Sequence, residues 1–254
     1  MSSVRQLFRA VLIPSTPFIG LIGVWQAAVV INNISPVLLP GPIGVLNAAI
    51  ANADDLLTAT WSTLSDILLA TAIAVIVGYV TAITLSLLPL LRRSIFPYML
   101  MTQVVPKVAL APLLFAWFGI GLQSRLLLAF LIAYFPMVIN TLDALLTTDR
   151  AMVVYTRSLA ASDWQTLLMV RLPAALPATM AGIKISTSLA IVGIVVGEFV
   201  ATNNGLGKIV VESTALMQTS QMIAATLAIG LIGVVLLGAV DLIERRLIRW
   251  GAKR

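Results

Sequence analysis

The chain has 254 residues, of which 60% are hydrophobic and only 10% are charged, and its net charge is +6. A soluble domain of this size carries roughly a quarter charged residues, so this composition indicates a protein that is solvated by a lipid bilayer. Histidine and cysteine are both absent, which argues against a zinc site, a thiol nucleophile and an imidazole base, and therefore against an enzyme embedded in the membrane.

Long apolar stretches predict the membrane spans. A spanning helix needs about 20 mostly apolar residues, because the hydrocarbon core of a bilayer is about 30 Å thick. Asn32-Asn33 and the prolines that follow break the first apolar stretch, and prolines interrupt the third span. The first span reads as retained rather than as a cleaved signal peptide, because its apolar run exceeds the length of a signal-peptide core. One integral domain, residues 1–254, with six spans is predicted, near 10–31, 62–89, 99–118, 126–146, 179–201 and 221–244.

Basic residues predict the orientation in the membrane. Twelve of the sixteen lie before the first span, between the second and third, after the fourth, or after the sixth. These are alternate loops, so the positive-inside rule places both termini and the loop at about 147–178 in the cytoplasm. The same asymmetry explains the basic charge without nucleic-acid binding.

The loop between the fourth and fifth spans is polar and helix-prone. Ala151 to Val170 contains no proline or glycine, and Ser162-Asp163 can cap a second short helix that begins at Trp164. Pro173 is predicted to keep Leu172 out of a helix, and with Pro177 to fix the angle at which the chain re-enters the bilayer. On physics alone, an interfacial amphipathic segment and a docking site for a cytoplasmic partner are equally supported.

Five segments in order carry a resemblance to a known family. "RSLAASDWQTLLMVRLPAALPATMAGIKIS" at 157–186 resembles the cytoplasmic signature loop of ABC-importer permeases, specifically the nitrate/sulfonate/taurine branch of binding-protein-dependent transporters. The other four match that branch at the expected positions, and the resemblance covers roughly residues 21–250. They are "PKVALAPLLFAWFGIG" at 106–121, "FPMVINTLDAL" at 135–145, "GEFVATNNGLGKIV" at 197–210 and "LIERRLIRW" at 242–250.

The resemblance implies an all-α membrane protein of the type I importer class, in the bacterial cytoplasmic membrane. Its cytoplasmic loop would form a coupling helix that docks onto a dimer of ABC ATPases, which bind ATP and magnesium, while this chain binds no cofactor. A second permease copy, most simply an identical one, and an extracytoplasmic binding protein that delivers a small solute complete the importer. That solute would be nitrate-, sulfonate- or taurine-like, or a vitamin precursor. The coupling residues implied are Arg157, Ser158, Leu159, Ala160, Ala161, Ser162, Asp163 and Trp164.

Four positions depart from the pattern of this branch. Val154 stands where the family has a glutamate, Tyr155 and Thr156 stand where it has two alanines, and Ala160 stands where it has a glycine. The loss of the glutamate removes an acidic contact, for which Asp163 can substitute locally. The loss of the glycine places a methyl group where the chain needs a tight turn or a close approach.

Polar groups inside the spans are candidates for the translocation path, because ionisable groups are costly in a bilayer. Asp66, Asn140 and Glu198 are the candidates. The alternative role of Glu198 is to snorkel towards the membrane surface or to pair with Lys208. No metal site and no catalytic residue is predicted. A secondary transporter or channel that works without an ATPase is the alternative function, although the two halves of the chain show no self-similarity that would favour it.

Overall fold

The structure, a computed structural model, describes residue 17 and residues 20–200 and 203–248. All regular secondary structure in this part of the chain is helical, which confirms the predicted fold class. The helices are α1 (Gly20–Ile31), α2 (Pro42–Ala51), α3 (Ala53–Leu87), α4 (Pro89–Met101), α5 (Ala111–Phe118), α6 (Leu122–Leu146), α7 (Arg150–Ser158), α8 (Asp163–Thr166), α9 (Leu172–Val200), α10 (Leu206–Ala215) and α11 (Thr219–Leu247).

Four helices in the described part are long and apolar enough to cross a membrane. They are α3, α6, α11 and a helix that runs without interruption from Asp163 through α9 to Val200. Each overlaps a predicted span, although α3 begins at Ala53, nine residues before the predicted start near 62. The beginning of the predicted first span, from residue 10, lies outside the described residues, and its end near residue 32 is confirmed by the end of α1.

The predicted third span, 99–118, is not one continuous helix. α4 ends at Met101, a turn follows, and a 3₁₀ segment at Lys107–Leu110 leads into α5. Pro106 lacks an amide hydrogen and adopts an extended conformation, with φ −69° and ψ 94°, immediately before the 3₁₀ segment. The span therefore consists of two short helices joined by a break.

Small residues let the central helices pack closely. α6 lies against both α3 and α9, and the core between them is rich in alanine. Gly182, Gly193 and Gly197 of α9 all face side chains or backbone of α6. A Cβ atom at Gly193 would lie 2.5 Å from the Cα atom of Ala129, so the two helices touch at this point.

Gly193→Ala is expected to destabilise the bundle by about 1–3 kcal/mol, because the added methyl group forces the backbones of α6 and α9 apart. The thermal midpoint of the purified protein measures this loss. Gly230→Ala on α11 is the matched control, since nothing lies within 4 Å of a Cβ atom there. The control should be neutral or slightly stabilising, because alanine favours a helix over glycine. Equal midpoints for the two variants would contradict the close contact.

Candidate functional site

The polar loop folds into a helix–turn–helix unit of residues 150–166. We call it the coupling segment, after the role that the resemblance implies for it. The Asp149 carboxylate caps α7 by accepting a hydrogen bond from the Ala151 amide at 2.8 Å. At the other end of α7, the Ala161 amide donates to the Thr156 carbonyl at 3.2 Å and the Ala160 amide donates to the Arg157 carbonyl at 3.0 Å. This pair of bonds is a Schellman motif, so α7 stops through hydrogen bonds of its own backbone.

Ala160 adopts a left-handed conformation, with φ +57°. Glycine is the usual residue at this position of a Schellman motif, because a Cβ atom is unfavourable there. The family glycine that Ala160 replaces therefore falls where the backbone turns left-handed.

Ala160→Gly is consequently expected to stabilise the turn between α7 and α8 by about 1 kcal/mol. Amide hydrogen exchange at the C-terminal end of α7 should slow roughly fivefold, in proportion to that free energy. Faster exchange in the variant would contradict the strained turn. Ala161→Gly, one residue further along, is the control and should give no protection.

The beginning of α8 confirms the predicted cap. The Ser162 hydroxyl accepts a hydrogen bond from the Gln165 amide at 3.2 Å, and the Gln165 side chain accepts one from the Ser162 amide at 2.8 Å. This reciprocal pair is a capping box, which fixes the entry into the helix. Asp163 pairs with Arg157 at 3.2 Å across the turn, so an acidic group does lie next to Arg157 although Val154 replaces the family glutamate. Both side chains of this pair are exposed, so its contribution to stability is small.

Apolar side chains of the coupling segment are exposed. Tyr155 and Leu159 are each 66% exposed and Trp164 is 55% exposed. These three side chains lie near the end of α7 and the capped beginning of α8, among polar residues rather than inside an apolar span. An exposed apolar group with a polar surround is typical of a surface that another molecule covers.

A continuous helix joins the coupling segment to the membrane. The prediction that Pro173 keeps Leu172 out of a helix is wrong, because Leu172 has φ −63° and ψ −47°. The Leu172 amide bonds to the Leu167 carbonyl across a π-helical turn, and this wider turn gives the proline ring the room that an α-helical turn denies it. The helix from Asp163 to Val200 has 38 residues and is therefore about 57 Å long, well beyond the hydrocarbon thickness.

At the other end of this helix, buried polar groups join four helices, α3, α6, α9 and α10. Asp66 of α3 and Arg125 of α6 form an ion pair at 2.6 Å, and both residues are buried. Glu198 of α9 accepts hydrogen bonds from the Thr63 hydroxyl and from the Gly207 amide, each at 2.8 Å. The Leu206 amide in turn donates to the Thr63 hydroxyl at 2.8 Å. We call these groups the outer network, because the positive-inside rule predicts that this end of the bundle faces away from the cytoplasm. They hold the first turn of α10 against α3 and α9.

The alternative that Glu198 pairs with Lys208 is wrong. Lys208 lies 3.5 Å from Glu212, one turn further along α10, and Glu198 is only 2% exposed. The carboxylate of Glu198 instead sits at the N-terminus of α10, where free amides and the helix dipole favour a negative charge.

The three candidate path residues lie in two different environments. Asp66 and Glu198 are buried in the outer network, whereas Asn140 borders a cleft between α4, α6 and α9 whose other polar residues include Arg92 and Asp143. The Asn140 side-chain amide donates to the Pro136 carbonyl at 2.7 Å. The assignment of these residues to the path stays a prediction.

An ion cluster that was not predicted from the sequence lies at the opposite end of the bundle from the outer network. Lys184 of α9 bonds to Asp241 at 2.9 Å and also to Glu244, both on α11. A lysine inside one apolar span and two acids near the end of another are visible in the sequence, but their pairing is not. Among the described residues, no group of His, Cys, Asp and Glu side chains could hold a metal ion.

Comparisons with known proteins point to one family. Residues 74–249 match the family described as the binding-protein-dependent transport system inner membrane component. The chain is 33% identical to a probable ABC transporter permease of Haemophilus influenzae, over 90% of this chain and 93% of that protein. It is 31% identical to the taurine transport system permease TauC of Escherichia coli, over 91% of this chain and 86% of TauC. Its fold resembles a chain of the inward-facing MetNI methionine ABC transporter, with a TM-score of 0.67 and 20% identity over 76% of this chain and 96% of that one.

Proposed function

Because this chain belongs to the binding-protein-dependent transport system inner membrane components, as a permease subunit of an ABC importer, we propose that its coupling segment docks onto a cytoplasmic ATPase. The observation that carries the proposal is the exposed apolar group formed by Tyr155 on α7, Leu159 in the turn and Trp164 on α8. Their neighbours Arg157, Ser158, Ala160, Ala161, Ser162 and Asp163 complete the docking surface.

The helix from Asp163 to Val200 supports a mechanism for coupling. A displacement of the coupling segment moves one end of a continuous helix. Near that end, Leu167 and Ala175 of this helix pack in a buried cluster with Leu145 of α6. The Lys184 cluster would pass that movement from α9 to α11. ATP-driven closure of two ATPases would in this way tilt the helices that surround the solute path.

The remaining partners follow from the family. We propose that residues 1–254 form one permease domain with both termini in the cytoplasm, that two copies of this chain pair, and that a binding protein delivers the solute from outside. ATP and magnesium would bind only to the ATPase, and this chain would have no catalytic activity of its own. The absence of a phosphate-binding loop of the form G-x-x-x-x-G-K-[ST] in the sequence supports that division. Asp66, Asn140 and Glu198 remain candidates for residues that shape the path.

The test is uptake in proteoliposomes that contain the chain with its co-purified subunits. An importer requires both ATP inside the vesicle and the binding protein on the opposite side. Uptake that persists without ATP and without an ATPase subunit, and that follows an ion gradient, would contradict the proposal and favour a secondary transporter. A matched preparation in which the ATPase carries a disabled nucleotide site should accumulate no solute.

A further inference from the structure

A cleft of about 750 Å³ lies beside the break between α4 and the 3₁₀ segment. Its walls come from α3, α4 and α6, and its rim includes Gln103 and Lys107 of the broken segment. Phe130 and Tyr134 line it from the middle of α6. The cleft is therefore level with the centre of a membrane-spanning helix.

The broken backbone indicates that this cleft does not face lipid. A non-helical segment at membrane depth is tolerated only where it packs inside protein or lines a water-filled cavity, because its polar backbone groups need partners. Val104, in the middle of the break, is 86% exposed in the single chain. A charged lysine three residues later adds a group that avoids hydrocarbon. Water and solute, rather than lipid tails, suit this position.

Most of the cleft wall offers apolar and aromatic surface. The rings of Phe130 and Tyr134 lie side by side, with centroids 5.1 Å apart. The wall hydroxyls already have acceptors, since the Tyr134 hydroxyl donates to Thr81 at 3.1 Å and the Thr84 hydroxyl donates to the Val80 carbonyl at 2.9 Å. Flat aromatic molecules should bind such a wall most favourably, because aromatic rings stack or pack edge to face with one another.

The part of the cleft next to the broken segment is polar rather than apolar. Among the described residues that line it, Lys107 is the only charged one, and its ammonium group donates a hydrogen bond to the Gln103 side-chain oxygen at 2.8 Å. An ammonium group has three donor hydrogens, so it can also bond to an anionic group of a solute. The Gln103 contact holds the lysine at the rim of the cleft.

We propose that this cleft is the part of the translocation path that holds the solute, and that it takes a planar aromatic molecule bearing a carboxylate or similar anionic group. The ring would lie against Phe130 and Tyr134 while the anionic group pairs with Lys107. A small aliphatic anion would use only the lysine and leave the aromatic wall uncovered. This inference rests on the proposed function, since it assigns the solute class to the path of that importer.

The first experiment asks whether water reaches the cleft. The natural chain contains no cysteine, so a single Thr84→Cys substitution introduces one reactive thiol in the wall. In the purified complex with its ATPase, this thiol should react with a membrane-impermeant trimethylammonium methanethiosulfonate at least about tenfold faster than Leu231→Cys, because a thiolate forms only where water reaches it. Leu231 is 64% exposed on α11, the least buried of the four long helices. Equal rates would overturn the aqueous cleft.

The second experiment asks which solutes the cleft takes. Benzoate and acetate share a carboxylate and differ by the ring, so they separate the aromatic wall from the cation. Benzoate should slow the modification of Thr84→Cys, and acetate at the same concentration should not. Adding Lys107→Met should raise the benzoate concentration needed for half protection about tenfold, as expected for the loss of one charge-assisted bond. Protection by both anions, by neither, or by benzoate regardless of Lys107 would overturn the proposed solute class.

These outcomes are separable from a failure of the proposed function. If uptake requires ATP and the binding protein while Thr84→Cys shows no selective protection, the permease assignment stands and the solute site is wrong. If Thr84→Cys is protected by benzoate but uptake needs no ATPase, the cleft is a solute site in a different kind of transporter.

Discussion

Leu159→Asp is expected to weaken transport-coupled ATP hydrolysis at least about thirtyfold at limiting ATPase concentration. If Leu159 is a hot-spot residue of the docking surface, it contributes about 2 kcal/mol or more to binding, and about 1.4 kcal/mol corresponds to a factor of ten. Leu159 lies in the turn between α7 and α8 and is 66% exposed, so the substitution removes little packing within the chain. The thermal midpoint of the isolated permease should therefore stay unchanged.

A control for this prediction must introduce the same charge elsewhere. Val211→Asp on α10 changes an apolar residue that is 43% exposed, on a helix far along the chain from the coupling segment. It should leave stimulated ATP hydrolysis within twofold of the natural protein. If Leu159→Asp keeps full stimulation, or loses it only together with folding, the coupling segment is not the docking surface.

Glu198→Ala is expected to have the largest effect on stability, about 3 kcal/mol, which corresponds to roughly 10 °C in the thermal midpoint. The substitution leaves the Gly207 amide and the Thr63 hydroxyl without their buried acceptor. It also releases the first turn of α10, which those bonds hold against α3 and α9. Limited proteolysis in the connection between α9 and α10 should accelerate together with the fall in midpoint.

Two further variants test how much of this loss comes from the two acceptor oxygens of Glu198. Glu198→Gln keeps one acceptor oxygen but places an NH2 group where the other oxygen accepts a hydrogen bond, so it should lose about 1–2 kcal/mol, less than Glu198→Ala. Glu212→Ala removes an acid whose side chain is 58% exposed and should change stability by less than about 0.5 kcal/mol. A midpoint for Glu198→Ala that matches Glu212→Ala would show that the outer network does not hold α10.

Local signals in the sequence predicted local structure well. Ser162 was predicted to cap the helix that follows it, and its hydroxyl does accept a hydrogen bond from the Gln165 amide. The double asparagine at Asn32-Asn33 predicted the end of α1, and Asn33 adopts a left-handed conformation with φ +47°. Such features depend on neighbouring residues, so a pattern of residue types determines them.

Pairings between distant segments were not predictable in the same way. The sequence identified Asp66 and Glu198 as costly groups inside spans, but the partner of Asp66 is 59 residues away, and Glu198 bonds to Thr63 at a separation of 135 residues. Lys208 was considered as the partner of Glu198 because it is near in sequence, whereas helix packing decides which groups meet. The π-helical turn before Pro173 was missed for a related reason, since the rule that Leu172 avoids a helix assumes a regular α-helical turn.

The most direct test of the coupling assignment is a site-specific crosslink in intact cells. A photoreactive benzoylphenylalanine at Trp164, which is 55% exposed, would report what covers the coupling segment. The same group at Val211 on α10 serves as the comparison. We predict that Trp164 crosslinks to a cytoplasmic ATPase, with a yield that changes when ATP is depleted, and that Val211 does not. A crosslink from Trp164 to lipid alone, in cells where uptake is active, would contradict the account.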